Sequence, residues 1–217
     1  MVFATSHEAG CLKKESLSDS GWFLTGGHEI SVLVTGVGCM ATAWAMKKWL
    51  CAGEKPDIAI NAGIAGSFHG SIPEGEVVMP VSDCFADLGI ETDNGFIPLK
   101  NTMLMEADKF PFIDGNIPCN NEFACRASEI LRPVKAITVN TATGTEATAE
   151  KLKKLYNPDI ETMEGAAFFY ICSFEKIPFI ALRAVSNKVG TRSKNAWNIP
   201  LALSNLEIKI YEILKLL

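Results

Sequence analysis

ISVLVTGVGCMATAWAMKKWLCAGEKPDIAINAGIAG, residues 30–66, decides the fold class. It opens on the β-branched run Ile30–Val34 and passes through Thr35-Gly36-Val37-Gly38. A helical pattern follows from about Cys39 to Cys51 and ends near Gly53. Asp57–Ala62 then reads as a second strand. A strand, a glycine turn, a helix and a strand form a crossover unit, the element from which sheets with parallel neighbours are built.

The same alternation recurs on both sides. Upstream, Trp22–Thr25, Gly26-Gly27 and Ile30–Val34 read as a hairpin with a glycine turn, so the sheet is not purely parallel. Downstream, Glu76–Val81, Ala136–Asn140 and Phe179–Val185 read as strands. Asn120–Leu131 (stopped by Pro133), Glu146–Tyr156 and Glu164–Glu175 read as helices, and an amphipathic helix begins at about Leu201. Residues 92–118, with several Gly, Pro and Asn, read as a loop or cap. One α/β domain over residues 1–217 is expected, layered around a mixed, mostly parallel sheet. In such sheets ligands sit at the carboxyl ends of strands, which directs attention to residues 5–8, 35–38, 63–66, 140–143 and 186–187.

Composition narrows the function classes. With 48% hydrophobic and 21% charged residues and a net charge of −5, the chain carries no basic stripe suited to nucleic acid. Its apolar runs are too short to span a bilayer, and Met1-Val2-Phe3-Ala4-Thr5 does not read as a signal peptide. Neither a nucleic-acid nor a membrane partner is expected. Seven cysteines without a Cys-x-x-Cys pair suit reduced thiols in a cytoplasmic protein. His7, His28 and His69 lack zinc-site spacing, so neither metal nor cofactor is expected.

One lookalike needs weighing. Gly36-Val37-Gly38-Cys39-Met40-Ala41 fits a loose dinucleotide fingerprint, with Asp57 downstream. The acid should end the second strand, whereas Asp57 precedes it, and the fingerprint normally opens the domain. Tight strand–helix packing alone would also want these glycines.

Four segments in order carry a resemblance. They are Ala4-Thr5-Ser6-His7-Glu8; Thr35-Gly36-Val37-Gly38 with Asn61-Ala62-Gly63-Ile64-Ala65-Gly66; Thr162-Met163-Glu164-Gly165-Ala166-Ala167; and Leu182-Arg183-Ala184-Val185-Ser186-Asn187. Together they resemble the methylthioadenosine/adenosylhomocysteine nucleosidases and their nucleoside phosphorylase relatives, over nearly the whole chain. Phe85-Ala86-Asp87-Leu88-Gly89-Ile90-Glu91, and Ser186–Gly190 with Arg192 and Trp197, are similar to the futalosine hydrolase branch. The resemblance implies a three-layer α/β/α sandwich of the nucleoside phosphorylase type, a small-molecule nucleoside substrate and a homodimer. For the branch it implies cleavage of futalosine to hypoxanthine and dehypoxanthinyl futalosine in menaquinone biosynthesis.

Cleaving an N-glycosidic bond passes through an oxocarbenium-like ribose. It needs a base for the attacking water, a held ribose and a stabilised leaving group. By resemblance Glu8 is the general base; a solvated glutamate in a first helical turn is the simpler alternative. Glu164 matches the carboxylate that grips the ribose hydroxyls, with Met163 packed on the sugar. Asn187 stands where the aminopurine enzymes carry Asp. A carboxamide cannot act as an acid, but it accepts from a protonated N7 and donates to O6, which favours a 6-oxopurine. Its simpler alternative is a residue bonding its own backbone. Ala65 and Gly66 are expected to approach substrate through backbone. The family's base-stacking position holds Ala142-Thr143 here, with Phe85 as a possible substitute. Ser186 is expected to support Asn187, and Arg183 to make a structural ion pair. Asp87 and Glu91 remain open between substrate and dimer contacts.

Phosphorylases of this superfamily place an arginine in the glycine-rich segment. Asn61–Phe68 has none, so water is the expected nucleophile. Two other readings stay open: a methylthioadenosine/adenosylhomocysteine nucleosidase, and a non-catalytic nucleoside-binding protein.

Overall fold

The computed structural model describes residues 1–12, 22–53, 55–93, 95–190 and 197–217. The elements run β1 (Val2–Phe3), α1 (Ser6–Ala9), β2 (Trp22–Thr25), β3 (His28–Ser31), β4 (Leu33–Val34), α2 (Cys39–Ala52), β5 (Ala59–Ser67) and β6 (Val77–Asp83). They continue through β7 (Gly89–Thr92), β8 (Gly95–Pro98), β9 (Ile117–Pro118), α3 (Glu122–Ala127), β10 (Arg132–Thr138) and α4 (Glu146–Tyr156). The chain closes with β11 (Ile160–Thr162), α5 (Gly165–Glu175), β12 (Phe179–Lys188) and α6 (Ile199–Leu214).

The main sheet has the order β11-β10-β6-β12-β5-β1-β4, with β9 on β6. Pairings are parallel except β12–β6, β6–β9 and β11–β5. The mixed, mostly parallel sheet read from the sequence is therefore present. What the sequence did not reveal is its closure: β11 pairs with β10 on one side and with β5 on the other. Three residues are too few for a periodic pattern to announce a strand.

Several boundaries move for identifiable reasons. Gly26 and Gly27, at φ 58° and 87°, close the hairpin, as a two-residue turn with both central residues at positive φ requires. Its second strand stops at Ser31, and Leu33–Val34 cross to pair with β1 in the main sheet. α3 ends at Ala127, and Pro133 is inside β10 rather than stopping a helix. It precedes the β11 pairing, which starts at Ala136, so one edge of β10 is open where the proline sits. Residues 92–118 are not simply a loop: they begin in the β7–β8 hairpin and end in β9 against β6.

β5 and β12 run past their expected ends at Ala62 and Val185. They stay paired from Phe179 opposite Ala59 to Lys188 opposite Ser67, with one irregularity after Val185. The glycines that suggested a strand end are held by this long partner. α5 is apolar all round and its first five residues are buried, with Phe168 and Phe169 packed on Phe179.

Arg183 of β12 is among the largest fully buried side chains. Its guanidinium donates to Asn61 Oδ1, and at 3.3 Å each to the Asn61 and Leu182 carbonyls. Asn61 Nδ2 in turn donates to the Val2 carbonyl at 3.0 Å, so one carboxamide joins β1, β5 and β12. The expected ion pair is thus replaced by hydrogen bonds to neutral oxygens. Asn61→Ala strands a buried donor of a cation and is expected to lower the unfolding free energy by about 2 kcal/mol. Urea denaturation checks this; an unchanged midpoint would contradict it.

Candidate active site

The site begins at a gap in one edge of β5. β12 lines the other edge throughout, while on this edge β1 pairs only at Asn61 and β11 only at Gly66 and Ser67. The Ile64 N–H in between donates to Glu8 Oε1 at 3.1 Å. Glu8 is delivered there by α1, whose N-cap Thr5 forms a capping box with it. The Thr5 N–H and hydroxyl donate to Glu8 Oε2 at 3.0 and 2.9 Å, and the Glu8 N–H donates to Thr5 Oγ1 at 3.2 Å. Glu8 is 8% exposed, which does not fit the alternative of a solvated glutamate.

Gly63 makes room for this carboxylate. A Cβ at Gly63 would lie 2.7 Å from Glu8 Oε1 and 3.4 Å from Arg183 Nη1. A Cβ at Gly66 would lie 2.8 Å from Val189 Cγ2 and 3.3 Å from Asn187 Nδ2, so this glycine admits both side chains. Ile64 and Gly66 are two strand residues apart, about 7 Å. β5 therefore sets the spacing between a carboxylate and a carboxamide.

Asn187 reaches its place through the irregularity in β12. Val185 faces Ala65 and Asn187 faces Gly66, so Ser186 is the extra residue of a bulge. Bulges re-aim the following side chain. The Ser186 hydroxyl is 2.8 Å from Asn187 Oδ1 and 3.3 Å from the Ala65 carbonyl, and Asn187 Nδ2 donates to the Lys188 carbonyl at 3.0 Å. A carboxamide has two N–H donors and two acceptor sites on oxygen. Among the described residues these bonds leave one of each.

Glu164 is the N-cap of α5, and its Oε1 accepts the Gly38 N–H at 2.9 Å. This joins the first turns of α2 and α5, and a second contact runs from Cys39 Sγ to the Met163 carbonyl at 3.6 Å. Burial raises the pKa of Glu164, opposed by the Arg183 charge and the Gly38 N–H, while the nearby Glu8 adds to the rise. The Gly36–Gly38 turn thus receives a carboxylate of the chain itself, and Asp57 precedes β5 at the strand's far end.

Other sequence-selected residues have contacts of their own. Phe85 bridges to Thr138 and meets Tyr170 of α5 edge-on, with ring centroids 6.4 Å apart. Thr143 commits both its N–H and its hydroxyl to the Glu161 carboxylate. Asp87 accepts the Asn140 N–H and Nδ2, so it holds the start of the same loop. Glu91 is exposed on β7. Arg192 lies outside the described residues. Two neighbours of the site were not selected from sequence: the buried Asp83 and the buried Glu161. Asp83 and Glu161 were hidden because β6 runs two residues past its expected end and β11 was not seen.

A cavity of about 750 Å³ lies elsewhere, at the amino ends of β1 and β5, lined by Met46, Leu50, Ile58 and Leu214 among others; none of Glu8, Glu164 and Asn187 borders it.

Residues 19–215 match the phosphorylase superfamily, to which the chain belongs. It is 32% identical to the futalosine hydrolase of Streptomyces coelicolor over 81% of this chain and 74% of that protein. It is 35% identical to the futalosine hydrolase of Acidothermus cellulolyticus over 81% of this chain and 71% of that protein. The fold is also that of the S. pneumoniae 5′-methylthioadenosine/S-adenosylhomocysteine nucleosidase, with a TM-score of 0.79 and 18% identity over 99% of this chain and 97% of that one.

Gly63→Ala tests whether Glu8 works in the gap. The added methyl must displace the carboxylate, and the catalytic rate is expected to fall by roughly 10²-fold, the scale of an ångström misplacement. Steady-state kinetics beside a thermal melt separates this from unfolding; a folded variant with an unchanged rate would contradict the placement.

Proposed function

We propose that this protein hydrolyses the N-glycosidic bond of futalosine, releasing hypoxanthine and dehypoxanthinyl futalosine in the futalosine route of menaquinone biosynthesis. The relatives at 32% and 35% identity support the substrate. The observation that supports the chemistry is that Glu8 and Asn187 lie along β5, with Glu164 close enough to Glu8 to feel its charge.

In this reading Glu8 takes a proton from water as the water oxygen bonds to C1′ and the bond from C1′ to the purine nitrogen breaks. Glu164 accepts hydrogen bonds from the ribose hydroxyls and holds the sugar in line, with Met163 against it. Hypoxanthine leaves with the bond's electron pair and takes a proton on N7 from solvent water; the free acceptor and donor of Asn187 meet that N7–H and O6. Ser186 fixes the carboxamide, and the backbone of Ala65 and Gly66 borders the base. Phe85 and Thr143 belong to the wall around the base: Phe85 through its packing on α5, Thr143 through its loop. An aminopurine presents an N6 donor to the same Asn187 donor, which disfavours the methylthioadenosine-type reading.

We also infer a homodimer in a reducing, cytoplasmic setting. Val37, Met40 and Trp44 form an exposed apolar row at the start of α2, beside the Gly38–Glu164 contact, and a second copy of the chain would cover it. All seven cysteines are free thiols, as a reducing compartment maintains.

Incubation with futalosine in phosphate-free buffer is expected to release hypoxanthine, and Glu8→Gln to slow that release by about 10²–10⁴-fold. No release, or release only with added phosphate, would refute hydrolysis. Asn187→Asp is expected to weaken action on 6-oxopurine nucleosides and to raise relative activity on aminopurine ones. If competing inosine-type and adenosine-type substrates keep their preference, Asn187 does not read the base.

A further inference from the structure

Asp83 ends β6 with its side chain wholly buried, and it takes no part in the reaction described. Its Oδ1 accepts the Cys84 N–H at 2.8 Å and the Thr138 hydroxyl at 2.9 Å. Among the described residues its Oδ2 has no hydrogen-bond partner, and it lies against Gly165, where an added Cβ would come within 2.1 Å.

The direction of the network follows from counting protons. A hydroxyl has one hydrogen and two acceptor sites. The Thr138 hydrogen goes to Asp83, so Thr138 Oγ1 accepts twice: from the Ala166 N–H at 2.8 Å and from the Thr162 hydroxyl at 3.1 Å. Thr162 therefore donates to Thr138 and accepts the Gly165 N–H at 3.2 Å. Both N–H groups belong to the first turn of α5, directly after Glu164. As helix-start donors they have no partner within the helix, and the two threonines that accept them pass their demand to one carboxylate. Burial raises the Asp83 pKa to about 7. A proton there sits on Oδ2, since Oδ1 already takes two donors, so the same chain of bonds serves both charge states.

We propose that Asp83 is a positioning residue for Glu164: through Thr138 and Thr162 it fixes the first turn of α5 and so the carboxylate that faces the ribose. This rests on the ribose-gripping reading of Glu164. Among the described residues the Glu164 carboxylate is held by backbone groups, the Gly38 N–H at 2.9 Å and the backbone of Met163, so the pose of the start of α5 decides where its other oxygen points.

The test uses two readouts on the full chain. One is amide hydrogen exchange at Gly165 and Ala166, compared with Ile180 in β12. The other is the ratio of kcat/KM for futalosine over its 2′-deoxy analogue. Asp83→Ala removes the acceptor and is expected to speed exchange at both amides by about tenfold or more, with Ile180 little changed. It is also expected to move the ratio toward that of Glu164→Gln. Asp83→Asn keeps an acceptor oxygen at Oδ1 and should stay near wild type in both readouts. Should Asp83→Ala not fold, Thr138→Val breaks the chain one link on, with Thr138→Ser as its rescue. Unchanged exchange in a folded Asp83→Ala or Thr138→Val overturns the proposal. So does a shift in exchange while only Glu164→Gln moves the ratio. If Glu164→Gln leaves the ratio alone, the ribose reading of Glu164 fails, and the exchange data alone then decide whether Asp83 holds the turn.

Discussion

A guanidinium removed from water sits at the centre of this fold. Arg183 cannot shed its charge, and its hydrogen bonds go to the neutral oxygens of Asn61 and Leu182. Neutral oxygens satisfy its donors without balancing its charge. That balance comes through space from Glu164, Glu8 and Asp83, which oppose the effect of burial on Arg183. Burying a lone charge is costly, so the carboxylates and the cation depend on one another. The β12 strand that carries Arg183 also carries Ser186 and Asn187, and its partner β5 carries the glycines that admit Glu8 and Asn187. The packing of the central strands and the chemistry of the site are one arrangement.

The interruption on the edge of β5 follows from the shortness of its neighbours. β1 and β11 each pair with only a residue or two of β5, and the Ile64 N–H between them needs an acceptor. Glu8 satisfies a backbone donor that a longer β1 would have paired. In the proposed reaction the same carboxylate, held by the Ile64 N–H and by both donors of Thr5, meets the water.

Much of this was legible in the sequence, and the rest was hidden for physical reasons. Periodicity and turn chemistry gave the crossover through α2, the hairpin at Gly26-Gly27 and the mixed sheet. The motif order gave Glu8, Glu164 and Asn187. Local signals failed where long-range pairing overrides them. Glycines 63 and 66 resemble a strand end but lie in a strand stabilised along its whole length by β12. Pro133 resembles a helix stop but sits on an open edge of β10. β11 is too short to be periodic, and with it went the closure of the sheet and the buried Glu161. Asp83 offered no signal at all, because its role depends on hydroxyls 55 and 79 positions away along the chain, which only the folded sheet brings together.

In the proposed reaction a nucleoside is cleaved at the gap on β5 and not in the cavity at the other end of the strands. A crystal structure with hypoxanthine and the sugar product bound tests it most directly. Cleavage at the gap predicts the purine against the Asn187 carboxamide, the sugar hydroxyls on Glu164 and C1′ within reach of Glu8. Hypoxanthine in the cavity lined by Met46, Leu50 and Leu214, with the space between Glu8 and Asn187 left to solvent, would contradict it.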